Sequence, residues 1–318
     1  MAIIALLFFK EGRRKMPQYA FYQKQFMPLT EAKINIMSNF LHYGTGVFEG
    51  IRGNWNADQK QVYLFRLKEH FERLQAGCKV LKIQIPYSVD ELCRLTVELV
   101  AKSDLKENVY VRPVAYKSTE AMGVRLHNLD SGFFVFVIPW GRYLDTDKCK
   151  VGVSSWRRPG SNVASPQSKI CGGYVNSAFA KTEAYENGFD EAIVLNESGR
   201  VAEGSGENIF LVINGKLVTP SIYESILVGI TRNTIIELAK NELGIEVDER
   251  PIERTELYSA QEAFFTGTAA HVTPISEVDH RLVGEGEIGP ITRKLQKLYH
   301  DIIEGKNSKY IYWCTPVY

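Results

Sequence analysis

Ser168-Lys169-Ile170-Cys171-Gly172-Gly173-Tyr174 and, further on, Val201-Ala202-Glu203-Gly204-Ser205-Gly206-Glu207-Asn208 are the stretches around which this chain is organised. The first sets a lysine among small residues, with a tyrosine close behind. The second sets a glutamate between Ala202 and Gly204, where a tight turn would aim the carboxylate inward. A lysine whose pKa is lowered by burial or cationic neighbours becomes a nucleophile toward carbonyls. A carboxylate held against a heteroaromatic nitrogen keeps that ring cationic and able to take up electron density. Tyr174 offers a hydrogen bond to a ring oxygen. Most lysines face solvent instead, so Lys169 has to be weighed with the rest of the chain.

Around these stretches the pattern is mixed, strands with interspersed helices. Val151 to Trp156 reads as a strand and Arg157 to Gln167, with Pro159, Gly160 and Pro166, as a loop leading to Lys169. A helix follows from Tyr174 to Asn187, stopped by Gly188. Glu191 to Leu195 is a strand with a turn at Asn196 to Gly199. Asn208 to Ile213, Asn214-Gly215, and Lys216 to Thr219 form a hairpin signature. Gly229-Ile230-Thr231-Arg232 opens a helix that Gly244 caps, and such an N-terminus suits an anion. Glu262 to Thr266 is a strand ending in the small-residue turn Gly267-Thr268-Ala269-Ala270. A last helix spans Ile288 to Glu304, with Pro290 in its first turn.

The first half has the same mixture. Residues 40–53 carry glycines at 44, 46, 50 and 53 among aromatics, which suits a tight loop against a strand. Val62 to Phe65 is a short strand, and Leu67, Phe71, Leu74, Cys78 and Leu81 then make one helical face, with Arg66 between the two. Ser88-Val89-Asp90-Glu91 is a capping box for a helix ending near Ser103. Val109 to Tyr116 alternates as a strand, placing Tyr110 and Arg112 on one face. Phe133 to Ile138 is a continuous apolar run, expected as a buried strand. The mixed α/β (α+β) pattern falls into two halves. Residues 16–142 are expected to form a smaller domain, 143–150 an interdomain loop and 151–318 a larger domain. Residues 1–15 are expected to be an N-terminal extension, since Met16-Pro17-Gln18 looks like a second start.

The 318 residues carry 38 Lys+Arg against 37 Asp+Glu, so the net charge of +1 gives no footprint for nucleic acid or an anionic membrane. The apolar run Ala2 to Phe9 is too short to span a bilayer, and its basic residues follow rather than precede it, unlike a secretory signal. The five cysteines include no Cys-x-x-Cys pair, so they read as reduced thiols of a cytoplasmic protein with no zinc site and no metal. There is no Gly-x-Gly-x-x-Gly after a strand and no Gly-x-x-x-x-Gly-Lys, which excludes a dinucleotide-binding unit and a phosphoryl-transfer loop.

The motifs HYGTGVFEGIR (42–52), FRLKEH (65–70), YVRP (110–113), PWGRYL (139–144), KICGGY (169–174), VAEGSGENIF (201–210), LVGITR (227–232) and TGTAAHVTP (266–274) occur in this order. With them the chain resembles the branched-chain amino acid aminotransferases of the class IV, fold-type IV pyridoxal phosphate family, from about residue 17 to 305. The resemblance implies a two-domain fold, a smaller N-terminal α/β domain and a larger C-terminal pseudobarrel. It implies transamination between leucine, isoleucine or valine and 2-oxoglutarate.

It also implies roles. Lys169 matches the Schiff-base lysine, Glu203 the partner of the pyridine nitrogen and Tyr174 the partner of the ring hydroxyl. Arg66, Ile230, Thr231 and Thr268 match the phosphate cup, and Leu227 packs on the ring. Tyr43, Phe48, Trp140 and Tyr143 match pocket walls. Tyr110, with the backbone of Thr268 and Ala269, matches the holder of the α-carboxylate, and Arg112 the receiver of the glutamate side chain. Met122 and Val124 match a loop that reaches the site of a partner subunit, which implies a homodimer or higher homo-oligomer.

There are departures. Gly173 replaces the usual asparagine before the tyrosine, and His271 stands where many members carry an acid. The redox pair of some animal members is absent, so no such switch is expected. Three alternatives stay open: a D-amino acid or (R)-amine transaminase of the same fold, an aminodeoxychorismate lyase, and a non-catalytic scaffold that carries the cofactor.

Overall fold

The computed structural model describes residues 18–141 and 147–318, in two sheets. The first sheet is built from β1 (Tyr19–Tyr22), β2 (Gln25–Pro28), β3 (Gly46–Phe48), β4 (Ile51–Asn56), β5 (Gln61–Phe65), β6 (Val109–Lys117) and β7 (Ser131–Pro139). The second uses β8 (Cys149–Arg158), β9 (Glu191–Asn196), β10 (Val201–Gly204), β11 (Asn208–Ile213), β12 (Lys216–Thr219), β13 (Val247–Glu249), β14 (Glu262–Gly267), β15 (His271–Val278) and β16 (Arg281–Leu282). The chain then returns, and β17 (Cys314–Pro316) pairs with β5 at the edge of the first sheet.

In the first sheet the order is β17-β5-β4-β6-β7-β1-β2, with β3 also on β6; in the second it is β10-β9-β8-β15-β14-β11-β12-β13, with β16 on β15. Pairs β8–β9 and β8–β15 are parallel and both contain register shifts. Such bulges bend and twist strands, and the second sheet curls into half a barrel.

Seven helices cover these sheets among the described residues: α1 (Asn39–Tyr43), α2 (Leu67–Val80), α3 (Val89–Ser103), α4 (Tyr174–Glu186), α5 (Ile230–Leu243), α6 (Glu256–Ser259) and α7 (Pro290–Ile303). Leu67, Phe71, Leu74 and Cys78 of α2 join Leu92 and Leu99 of α3 against the first sheet. The capping box is formed: Ser88 Oγ accepts from Glu91 N, and Glu91 Oε2 accepts from Ser88 N at 2.7 Å. Ile235 and Leu238 of α5 pack with Leu295 and Ile302 of α7 over one face of the second sheet. Ile193, Ile209, Leu211 and Phe265 fill the other face. The Asn214-Gly215 turn has φ +51° and +75° and closes the expected hairpin.

Several expectations are corrected. Residues 40–53 are a short helix and two strands, and only Gly44, at φ +62°, serves as a left-handed cap. Glu203 lies on β10, not in a turn; the turn follows it, closed by Gly204 N to Glu207 O at 2.7 Å. β7 is not buried throughout, because Phe134 and Phe136 remain half-buried, while Ile138 on the same face is buried. Strands β1, β2, β10, β15 and β17 had no clear signature. Tyr143, the first half of the expected interdomain loop and the N-terminal extension lie outside the described residues, and the second half of that loop runs into β8 at Cys149. No described helix is long and apolar enough to cross a membrane.

Candidate active site

A cavity of about 290 Å³ is walled by both sheets and by the N-terminus of α5. Lys169 reaches it from the connection between β8 and α4. Its segment is docked on β3: Phe48 N donates to Lys169 O at 3.0 Å, and Val47 and Ile170 form an antiparallel bridge. The small residues that follow have a steric reason. A Cβ on Gly44 would lie 2.6 Å from Gly172 Cα, and Gly172 N donates to Gly44 O at 3.2 Å.

Lys169 Nζ is 2.6 Å from the Tyr174 hydroxyl. The Tyr174 ring meets Phe48 edge-on, with centroids 4.7 Å apart. Burial disfavours the Lys169 ammonium, but Tyr174 and Glu49 outweigh burial and the Arg73 charge, so its pKa is raised. The expected depression of this lysine is therefore corrected: without a bound cofactor, the Tyr174 hydroxyl and Glu49 favour its charged form.

Glu203 is buried and held on every side. Arg158 Nε lies 3.2 Å from Oε1, while Asn208 Nδ2 donates to Oε2 at 3.1 Å and Leu227 N donates to it at 3.0 Å. Burial raises its pKa against the pull of Arg158 and the Leu227 amide. Arg158 and Asn208 were not anticipated as part of this site. Glu207 also lines the cavity; burial and its neighbour Glu191 push its carboxyl up to about 8.

Gly229, Ile230, Thr231 and Thr268 form the cavity wall at the start of α5 and in the β14–β15 turn. No side chain caps α5, so its first amides are open to an anion. A Cβ on Gly229 would lie 2.0 Å from Asn208 Oδ1, which explains the glycine at this N-cap. Arg66 is not among the residues that line the cavity, and its Nε is buried without a hydrogen-bond partner. Its Nη2 donates to Glu237 Oε2 at 3.0 Å, and its guanidinium lies 4.0 Å from the Trp313 ring centroid.

A charged cluster that the sequence did not announce stands behind the lysine. Arg73 grips buried Glu49 with Nε at 2.6 Å and Nη2 at 2.8 Å, and its Nη1 donates to Val228 O at 2.9 Å. His70 Nδ1 lies 2.7 Å from Glu49 Oε2. Burial opposes the Glu49 charge, yet Arg73 and His70 win and hold its pKa far below the usual carboxylate range.

Phe48, Tyr110, Arg112, Trp140 and Ala269 line the remaining wall, together with Leu227 across the cavity. Arg112 Nη2 donates to the Tyr110 hydroxyl at 2.9 Å and its guanidinium lies 4.4 Å from the Phe48 ring centroid. A Cβ on Gly50 would lie 2.1 Å from the same hydroxyl. Tyr43, Met122 and Val124 are elsewhere. Gly123 N donates to Tyr43 Oη at 3.0 Å, and Met122 and Val124 face outward from that loop.

These residues fit pyridoxal phosphate. An amine, a buried carboxylate, a phenol and an uncapped helix N-terminus share one cavity, as a carbonyl, a ring nitrogen, a ring hydroxyl and a phosphate require. Thr266 Oγ1, Trp140 Nε1 and Arg112 Nε, in residues that line it, are buried without a partner. Among the described residues no cluster of His, Cys, Asp and Glu is arranged to hold a metal.

The family described as Amino-transferase class IV matches residues 46–278. A probable branched-chain-amino-acid aminotransferase of Aquifex aeolicus is 50% identical over 301 residues, 94% of this chain and 97% of that protein. The crystal structure of a branched-chain aminotransferase from Thermoproteus uzoniensis with norvaline is similar at TM-score 0.91 and 43% identity, covering 95% of this chain and 100% of that one. The branched-chain amino acid aminotransferase from Thermobaculum terrenum in its PLP form is similar at TM-score 0.91 and 38% identity, covering 96% of this chain and 100% of that one.

Proposed function

The chain belongs to the class IV aminotransferase family, and on that premise we propose that it exchanges an amino group between leucine, isoleucine or valine and 2-oxoglutarate, with pyridoxal phosphate as cofactor. One observation carries the reading: Lys169 Nζ, 2.6 Å from the Tyr174 hydroxyl, shares a cavity with buried Glu203 and with the Tyr110–Arg112 pair.

When bound, pyridoxal phosphate supplies a carbonyl for amine capture and a ring that withdraws electrons. Lys169 would hold it covalently, with Tyr174 and Glu203 on the ring and the Ile230 amide, Thr231 and Thr268 on the phosphate. Glu203, fixed by Arg158, would hold a proton at the ring nitrogen. Displaced from the cofactor by the substrate's own amine, Lys169 Nζ would accept the α-proton of the substrate as a neutral amine and return it from the ammonium. Tyr110 and the Thr268–Ala269 backbone orient the α-carboxylate. Phe48 and Trp140 receive an apolar side chain, and Arg112 pairs with the carboxylate of glutamate.

Met122 and Val124, outward-facing and remote from the cavity of their own chain, support a homodimer in which they reach the partner's site. Free thiols at all the cysteines support a cytoplasmic setting.

The test is a half-reaction without acceptor. The cofactor-loaded protein is mixed separately with L-leucine, D-alanine and (R)-1-phenylethylamine, and the absorbance of the lysine-bound cofactor is followed. Bleaching by L-leucine, reversed by 2-oxoglutarate, is expected. Bleaching mainly by D-alanine or the amine would overturn the substrate assignment. Lys169→Ala abolishes turnover; retained steady-state activity would sink the mechanism.

A further inference from the structure

A second cavity, of about 390 Å³, shares Ala269 alone with the first among the described residues. Its walls come from Arg52 and Asn54 of β4, from Ala270, His271 and the start of β15, and from Gln296 and His300 of α7. Arg52 and Asn54 are two apart on a strand and face the same way. Arg52 is 5% exposed and Asn54 3% exposed.

Arg52 Nη2 donates to Gly141 O at 2.7 Å, but Nε and Nη1 have no partner. Asn54 Nδ2 and His271 Nε2, in residues of the same lining, have none either. No carboxylate of the described residues pairs with Arg52. Burial brings its guanidinium down to about 10, and the groups beside it that favour the charge are the hydroxyls of Tyr299, itself pushed up to about 12 by burial, and Tyr110. Glu304 and Asp147 also line the cavity, and Glu304 is engaged by Lys306 at 2.6 Å. His271, driven well below the ordinary histidine range by burial, Arg52 and His300, adds no negative charge in either of its protonation states.

A buried guanidinium without an anion is strongly unfavourable. So are buried N–H groups without acceptors. The Asn54 amide nitrogen and an open ring nitrogen of His271 stand in the same lining, so the donors of Arg52 and Asn54 together suit a ligand that accepts hydrogen bonds. We propose that this cavity is a binding site for a small anion, a carboxylate or inorganic phosphate, that pairs with Arg52 and takes a hydrogen bond from Asn54. An anion seated there touches Ala269 and Ala270 of the turn that borders the first cavity.

The experiment uses the cofactor-loaded protein, so that the site at the start of α5 is filled. Sodium formate and sodium phosphate are titrated separately at constant ionic strength, and the melting temperature is recorded. A saturating rise of a few degrees with either anion is expected, and the stronger of the two identifies the chemistry. His271→Glu places a carboxylate beside Arg52, so it melts higher than the parent without added anion and no longer responds. Arg52→Gln removes the charge and also loses the response. Anion binding in the first cavity would survive both substitutions, so a response retained in both overturns the proposal. Absence of any rise in the parent protein overturns it as well.

Discussion

Arg158 and Arg157 are adjacent, yet Arg157 is exposed and Arg158 is buried against Glu203. A register shift between Val153 and Arg157 in the β8–β9 pairing decides which of the two turns inward. No periodicity in the sequence marks such a bulge, and for that reason the partner of Glu203 was not legible while Glu203 itself was. Arg158→Met leaves a buried carboxylate without its cation. The loss of a buried partner costs about 3–5 kcal/mol, and urea unfolding should show it. Glu203 then shifts further toward its protonated form and no longer holds a proton on the ring nitrogen. The half-reaction with L-leucine should slow by roughly a hundredfold, the scale of losing one preorganised electrostatic contact. An Arg158→Met protein with unchanged half-reaction rate would show that Glu203 does not depend on it.

His271 gives a second prediction at this scale. Its pKa is lowered in the folded protein, chiefly by burial. Below the unfolded value near 6.5 the unfolded chain takes up a proton that the folded chain refuses, so this histidine contributes stability above about pH 6.5 and loses it as the pH falls. His271→Asn, which tolerates the local φ of +57°, removes that dependence. The stability difference between parent and variant should therefore shift against the parent between pH 7.5 and 5.5. A pH-independent difference would exclude the linkage.

At the scale of elements, local chemistry was legible and long-range pairing was not. The capping box at Ser88, the glycine stops at Gly188 and Gly244 and the Asn214-Gly215 turn depend on a few neighbouring residues, and all of them form. β15 escaped notice because Pro274 interrupts it, although it lies inside the sheet between β14 and β8. Its parallel pairing with β8 begins at Ile275, just past the proline. β17 was invisible for another reason: its partner β5 is some two hundred and fifty residues away in sequence. Ser88→Ala should cost about 1 kcal/mol in a thermal or urea melt and leave transamination unchanged, because α3 does not reach the cavity. Gly44→Ala should behave differently. The added Cβ meets Gly172 at 2.6 Å and demands a left-handed alanine besides, so the Lys169 segment must move off β3. Both melting temperature and half-reaction rate should fall; a drop in stability alone would mean that the docking of this segment does not position the lysine.

The whole molecule places Lys169, Glu203 and the start of α5 around one cavity within a single chain. The loop of Met122 and Val124 is different. Its backbone is pinned, with Gly123 N bound to Tyr43 Oη at 3.0 Å and Gly123 O to Asn39 Nδ2 at 3.1 Å, while Met122 is 55% and Val124 88% exposed. Ile36 and Leu41, in the segment that pins it, are exposed too. Held in shape and apolar at its tip, this surface has the character of an interface rather than of a solvated loop. If it joins two copies, a charge placed there has to be desolvated in the dimer and not in the monomer. Val124→Asp combined with Leu41→Asp should then convert a dimer into a monomer in sedimentation equilibrium and lower the activity, while the melting of the isolated chain changes little, since neither side chain is packed. A parent protein that sediments as a monomer, or a double variant that stays dimeric and active, would remove this surface from the assembly and leave the cavity to function within a single chain.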